Sequence, residues 1–188
     1  MDLSVIAQVI GIVAMCAIIV SFQFKERWQV ILCQLAGALL FSVNMFMLGA
    51  VIGGLLNAVA TVRALVYLKA DKMKIDPRVL QGIFISLYVI SYVLTFTVFG
   101  KELNAKNIII ELLPVIGMIA VTFGFAGKSA KEIRLYSFIN SPCWLIYNCF
   151  NFTIGGILCE AFSLVSNISA FLRYDIKKKP RADAENNK

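Results

Sequence analysis

Long blocks of apolar residues follow one another along the chain, and short polar connections separate them. Each block has close to the roughly 20 residues that a helix needs to cross a hydrocarbon layer. The apolar runs are continuous rather than alternating, so they favour helices over the strands of a membrane barrel. The pattern predicts an all-α integral membrane protein with seven transmembrane helices. The first two cover about Ser4–Phe22 and Trp28–Leu48, and the third follows a short turn around Gly49 and extends to about Leu68. The other four cover about Leu80–Phe99, Ile108–Phe125, Leu135–Phe152 and Ile154–Tyr174.

Short motifs recur in the two ends of the chain and indicate an internal repeat. They are Ile10-Gly11 with Ile116-Gly117, Lys25-Glu26 with Lys131-Glu132, and Ile52-Gly53-Gly54 with Ile154-Gly155-Gly156. Three helices cross the membrane an odd number of times, so one linking helix lets a second unit repeat the direction of the first, which gives parallel repeats. We therefore predict a 3+1+3 order: a three-helix bundle at residues 1–70, a linker with the fourth helix at 71–106, a second three-helix bundle at 107–175, and a disordered cytoplasmic tail at 176–188.

Basic residues are concentrated in alternate connections. With the N-terminus outside, the inner connections and the tail hold most of the Lys and Arg residues, and the outer connections hold only Lys101 and Lys106. Because positively charged loops stay on the cytoplasmic side, the charge distribution predicts an N-out, C-in orientation.

Composition supports the membrane interpretation and excludes several other classes. The 188 residues are 60% apolar and 15% charged, with a mean hydropathy of +0.81. The net charge of +7 lies in the connections without an aromatic and basic cluster, so we predict no nucleic-acid partner. There is no His and no C-x-x-C pair, which predicts no metal and no other cofactor. The cysteines are expected to be apolar fillers, with a disulfide between Cys149 and Cys159 left open.

Three segments resemble a known family. The stretch Glu111-Leu112-Leu113-Pro114-Val115-Ile116-Gly117, the run Cys143-Trp144-Leu145-Ile146-Tyr147-Asn148 and the triplet Leu56-Asn57-Ala58 are similar to the YgjV-type family of bacterial inner-membrane proteins. The resemblance extends from the first helix to Arg173 and implies a multi-pass protein of the bacterial inner membrane. The helix plan is also similar to that of SWEET sugar carriers and PnuC vitamin carriers. The Pro-Gln pair of many SWEET and PQ-loop proteins is absent, so the resemblance implies no sugar substrate.

Ionisable residues inside the hydrophobic blocks are the first candidates for a binding site. A charge within a membrane helix costs about 2.5–3.5 kcal/mol on insertion scales and usually faces a cavity or a partner. Arg63 and Glu160 occupy equivalent helices of the two units, and helical tilt brings Arg63 toward the level of Glu160. Glu111 lies closer to the outer end of its helix. For all three, a structural ion pair, snorkelling or helix-end stabilisation is the alternative.

Amide and aromatic side chains form a second candidate set. Asn44, Asn57, Asn140, Asn148, Asn167 and Gln34 lie within apolar blocks, where an amide either joins helices by hydrogen bonds or lines a polar route. We select Asn57, Asn148 and Asn167 as lining residues because they share helices with Gly-Gly, Trp144 or Glu160. Trp144 is expected to form a stacking wall, with interface anchoring as the alternative.

These residues favour a facilitative carrier for a small polar solute, which alternates access by rocking two three-helix bundles. No constellation of an enzyme is present, since the sequence has no nucleophile elbow or phosphate loop. The alternatives are a membrane receptor or sorting protein that binds its ligand without transporting it, and a structural or assembly partner. The expected partners are the lipid bilayer and the solute. A monomer is sufficient, because one chain holds both bundles, and a homo-oligomer is compatible with the same plan.

Overall fold

The computed structural model describes residues 3–48, 51–73, 75–150 and 154–176. They form seven α-helices and a short π-helix (Leu172–Ile176), and the predicted all-helical class is confirmed. The turn at Gly49, the end of the predicted sixth helix at Phe152 and the tail after Ile176 lie outside the described residues. The helices are α1 (Leu3–Ser21), α2 (Arg27–Met47), α3 (Val51–Met73), α4 (Pro77–Thr97), α5 (Ala105–Ala126), α6 (Ala130–Phe150) and α7 (Ile154–Phe171).

The distribution of polar and apolar side chains is that of a membrane protein. Within the described residues, four helices are long and apolar enough to cross a membrane, and Val5–Ser21 is a shorter apolar helix. Large apolar side chains such as Ile12 and Val165 are exposed on the outside, whereas Arg63 and Asn167 are buried. This arrangement suits a lipid solvent, which accepts apolar surface and penalises exposed charge. The four spans are Arg27–Met47, Pro77–Thr97, Ala105–Ala126 and Gly155–Ile176.

Polar capping residues fix where several helices begin. Asp76 accepts a hydrogen bond from the Arg78 backbone N–H at 2.8 Å, and Pro77 follows it at the first helical position of α4. Ser129 and Glu132 hydrogen-bond each other in a capping box before α6. Because of this box α6 begins at Ala130, earlier than the predicted start at Leu135, and it includes charged residues that the sequence pattern assigned to a connection.

The helices pack in two sets of three. In the first set α2 lies between α1 and α3, in the second α6 lies between α5 and α7, and α4 packs against α3 and α5. Between the sets, α1 contacts α7, α2 contacts α6 and α3 contacts α5. We call the first three helices unit one and the last three unit two. The end that carries the α1–α2, α3–α4 and α5–α6 connections is called the basic end.

Two glycines bring α5 and α6 into close contact. A methyl group added at Gly117 would lie 3.2 Å from the Asn140 Cα atom, and one added at Gly124 would lie 3.1 Å from the Ile133 Cα atom. The two glycines are seven residues apart and therefore share a face of α5. Small residues of this kind let membrane helices approach through their backbones, where van der Waals packing drives association.

Gly124→Ala is expected to lower the free energy of unfolding by about 1–3 kcal/mol, because the added methyl group meets backbone atoms that cannot rotate away. Gly82→Ala is the matched control, since a methyl group there meets nothing within 4 Å. The control is expected to stabilise α4 by up to about 1 kcal/mol through helix propensity. Unfolding in mixed detergent micelles measures both values, and equal effects of the two substitutions would contradict this account of α5–α6 packing.

Candidate functional site

A cavity lies between the two units and is lined by six of the seven helices, all except α4. Its volume, counted as the space open to the centres of water-sized molecules, is about 120 Å³. That space holds several waters or a small solute, because one water needs only about 10–15 Å³ on this measure. Five of the seven predicted site residues line the cavity, namely Asn57, Arg63, Trp144, Asn148 and Glu160.

Arg63 brings a buried positive charge to the cavity wall. Its side chain is 4% exposed, and its Nη1 group donates to the Met118 carbonyl at 3.1 Å and to Thr122 Oγ1 at 3.2 Å. The guanidinium lies 4.6 Å from the centre of the Phe125 ring, at cation–π distance. Its Nε atom is buried and has no hydrogen-bond partner among the described residues. Neutral groups therefore hold this cation, and part of its donor capacity is unused.

Glu160 lines the same cavity from α7, beside Ser141 of α6. The ion pairs described in the structure join Lys101 to Glu111 and Arg134 to Asp175, and neither involves Glu160 or Arg63. The pairing of Arg63 with Glu160 across the two units, considered from the sequence, is thus not formed. The cavity holds one basic and one acidic group that do not neutralise each other by contact.

The two asparagines predicted as lining residues, Asn57 and Asn148, lie near the end of the cavity opposite the basic end. Asn57 donates to the Gly53 carbonyl at 2.9 Å, so its amide nitrogen is bonded within its own helix. Asn148 packs against Gly156, where an added methyl group would lie 2.5 Å from the amide carbon. Gly156 therefore gives the Asn148 amide its position beside the cavity. Close helix contact is the role of this glycine.

Trp144 supplies an aromatic wall in the middle of α6. The indole is 8% exposed, and its ring is perpendicular to that of Tyr147 at 5.7 Å between centroids. This edge-to-face contact is a favourable arrangement for two aromatic rings. It fixes the indole orientation.

Asn167 and Glu111 lie outside the cavity lining. Asn167 is 1% exposed and donates to the Arg134 carbonyl at 2.9 Å, so it joins α7 to α6. Glu111 is 3% exposed and forms an ion pair with Lys101 of the α4–α5 connection. The structure thus gives both residues the alternative roles that the sequence left open, helix joining and a structural ion pair.

Four further polar residues line the cavity without having been selected from the sequence: Gln34, Ser137, Asn140 and Ser141. The spacing of Ser137, Ser141, Trp144 and Asn148 is four, three and four residues, which places them on one face of α6. Polar residues at this helical spacing within an apolar block are therefore the sequence signal for Ser137 and Ser141. The Asn140 Oδ1 atom is buried and accepts no hydrogen bond within the part of the chain that the structure describes, so this amide also has an unused acceptor.

Hydrogen bonds between the units close the basic end. Arg134 of unit two donates to the Phe24 carbonyl at 2.9 Å and to the Phe22 carbonyl at 3.4 Å, and Arg27 of unit one donates to the Phe125 carbonyl. Gln23 donates to Ser166 Oγ at 2.8 Å. The side chains of Phe22 and Phe125 form the floor of the cavity at this end.

Arg134 and Asp175 form a buried ion pair that the sequence pattern missed. Arg134 Nε lies 2.7 Å from Asp175 Oδ2, and Arg134 Nη2 lies 3.0 Å from Asp175 Oδ1, with side chains 2% and 7% exposed. Asp175 comes from the π-helix after α7. The two parallel bonds are the strong bidentate geometry of an Arg–carboxylate pair.

These features define a multi-pass helical membrane protein whose polar groups are gathered around an internal cavity. The chain belongs to the Imp-YgjV family of bacterial inner membrane proteins, which it matches over residues 5–178. It is 25% identical over 175 residues to the inner membrane protein YgjV of Escherichia coli (strain K12), a match that covers 90% of this chain and 84% of that protein. No solved structure matches the chain. The predicted family and inner-membrane location are confirmed, and the likeness to SWEET and PnuC carriers stays a prediction.

Proposed function

We propose that the protein is a non-enzymatic carrier for a small polar solute, with its binding site in the cavity between the two units. The observation that carries the proposal is that a basic and an acidic side chain, Arg63 and Glu160, line that cavity and do not occur in the described ion pairs. Maintaining charges inside a membrane bundle is costly, and such residues commonly mark a solute pathway. A site between two bundles also lets relative rocking expose it to either side in turn.

Equivalent positions in the two units support a two-fold internal plan. Seven of the ten cavity-lining residues of unit one have a lining partner 103 positions later in unit two, a spacing between the 106 and 102 of the short motifs. Two glycines follow the same spacing. A methyl group added at Gly53 would contact Met45, and one added at Gly156, 103 positions later, would contact Asn148. The equivalent lining pairs are Ile18 and Val121, Phe22 and Phe125, Gln34 and Ser137, Ala38 and Ser141, Phe41 and Trp144, Met45 and Asn148, and Asn57 and Glu160.

The closed basic end is the arrangement expected of one of the two states in an alternating-access cycle. Phe22 and Phe125 occupy equivalent positions below the cavity, and an arginine of the opposite unit holds the backbone carbonyl of each. Lining residues extend to Met45 and Gly156 near the other ends of α2 and α7. We therefore assign this arrangement to the state that receives solute from the end opposite the basic end, which the charge distribution places outside.

Accumulation of radiolabel in proteoliposomes tests the proposal. Purified protein would be reconstituted and offered labelled alanine, lactate, ethanolamine and glucose, which are zwitterionic, anionic, cationic and neutral. We expect at least one probe to enter faster than in protein-free liposomes, and to exchange with unlabelled probe inside. Binding of a probe to the protein without any entry would instead support the receptor alternative, because a receptor binds its ligand without releasing it on the other side.

A further inference from the structure

The charges around the cavity also indicate which class of solute it takes, an inference that rests on the proposed function of this site. Arg63 has an unused, buried Nε–H donor and no carboxylate partner among the described ion pairs. A cation that is held by a carbonyl, a hydroxyl and an aromatic ring still favours an anionic ligand, since a charge-assisted hydrogen bond is about twice as strong as a neutral one. The basic side of the cavity therefore fits a carboxylate.

The acidic side has the opposite preference. The Glu160 carboxylate lies beside Ser141, and it is paired with no cation in the described ion pairs. An acceptor-only group on a cavity wall favours an ammonium ligand. A ligand with a single charge would satisfy one of the two residues and be repelled by the other, whereas a neutral ligand would give neither residue an oppositely charged partner.

Arg63 and Glu160 lie at different depths along the cavity. Glu160 is the seventh residue of α7 and Arg63 the thirteenth of α3, so they differ in depth by about 9 Å along the helix axes. The guanidinium contacts Thr122 and Phe125, which lie toward the basic end of α5, so the expected tilt of Arg63 toward the level of Glu160 is wrong. A solute that carries both a carboxylate and an ammonium would contact both side chains.

We propose that the cavity binds a zwitterionic amino-carboxylate solute, with its carboxylate on Arg63, its ammonium on Glu160 and its side chain along Trp144. Arg63 lies on unit one and Glu160 on unit two. The solute therefore bridges both units when it is bound. Arg63 also donates to Met118 and Thr122 of unit two, so the solute adds a second link between the units.

Two matched sets of compounds test this assignment by titration calorimetry on the full-length protein in lipid nanodiscs. The first set is alanine, lactate, alaninol and lactamide, and the second is phenylalanine, phenyllactate, phenylalaninol and phenyllactamide. Within each set the carbon skeleton is kept while the amine, the carboxylate or both are replaced. We expect the zwitterion of at least one set to bind about 30-fold or more tightly than its three analogues, because each analogue leaves a buried charge unpaired.

Two charge-neutralising variants locate the preference. Glu160→Gln is expected to make the zwitterion and the anionic analogue bind with equal affinity. Arg63→Gln is expected to make the zwitterion and the cationic analogue bind with equal affinity. Arg63→Lys keeps the charge in case the glutamine variant does not fold, and it is expected to retain the preference over the cation. Arg78→Gln and Glu102→Gln, which alter exposed residues of the same types, are the controls and should leave all four affinities unchanged.

Equal binding of a zwitterion and its singly charged analogue, or no binding by either set at 10 mM, would overturn the assignment. If the zwitterion binds selectively and labelled zwitterion does not enter proteoliposomes, the ligand class stands and the carrier function fails. If lactate or ethanolamine enters proteoliposomes as fast as alanine, the carrier function stands and the ligand class fails. Binding and uptake measured on the same purified protein thus distinguish a failure of the ligand class from a failure of the carrier function.

Discussion

Asp175→Asn is expected to lower the free energy of unfolding by about 3 kcal/mol, because it leaves Arg134 buried beside an uncharged partner. Arg134 is 2% exposed and forms two parallel hydrogen bonds with Asp175, so the lost interaction is bidentate. The same arginine holds the Phe22 and Phe24 carbonyls of unit one. Unfolding in mixed micelles gives the change, and Glu102→Gln provides a control at an exposed carboxylate.

A double replacement separates loss of the pair from loss of a single charge. Removing both charges with Arg134→Met and Asp175→Leu is expected to cost less than Asp175→Asn alone, since the double variant leaves no unpaired ion in the interior. In the double variant the Phe24 carbonyl also loses its hydrogen-bond donor, so the free energy of unfolding stays below that of the wild type. A double variant that is destabilised by the sum of the single effects would show that the two residues act independently.

Arg63→Gln is expected to reduce entry of the transported probe by about 100-fold or more, while stability stays within about 1 kcal/mol of the wild type. The small change in stability follows from opposing contributions. Burying a charge in a membrane helix costs about 2.5–3.5 kcal/mol, and the Phe125 ring contact offsets about 2 kcal/mol of that cost, with hydrogen bonds adding to the offset. The initial rate of uptake and unfolding in mixed micelles are measured on the same preparation, with Arg78→Gln as the control.

This pair of measurements distinguishes a ligand-binding residue from a structural one. A purely structural Arg63 would give a variant that loses several kcal/mol of stability and still transports at the normal rate per folded molecule. A ligand-binding Arg63 gives a folded protein that does not transport.

The membrane helices and four of the five predicted cavity residues could be predicted because one physical signal identifies both, whereas Trp144 was selected for its aromatic ring. Lipid penalises a charged or amide side chain wherever it lies in a span, so Arg63, Glu160 and Asn148 stand out in hydrophobic sequence. Asn167 and Glu111 carry the same signal but have other roles. Their partners, the Arg134 carbonyl and the Lys101 ammonium, come from a neighbouring helix and a connection, and hydropathy does not reveal such contacts.

The closed basic end was the part that the sequence did not reveal. Arg134 follows several charged residues, so it was assigned to a connection, whereas the capping box at Ser129 extends α6 and places it in the bundle. Asp175 reaches it through a π-helix, whose local sequence has no simple signature. The serines on α6 are small and weakly polar, and their helical spacing alone marks them as lining residues.

The central claim is that the cavity opens alternately to the two sides, and the native thiol of Cys159 measures this directly. Cys159 lines the cavity, and the other four cysteines, which are not among the lining residues, would be replaced by alanine. A membrane-impermeant methanethiosulfonate reagent is applied to right-side-out and inside-out vesicles. We predict modification from both sides, faster from the outside, with Asp175→Asn raising the rate from the inside. Modification from one side alone, unchanged by Asp175→Asn, would contradict alternating access.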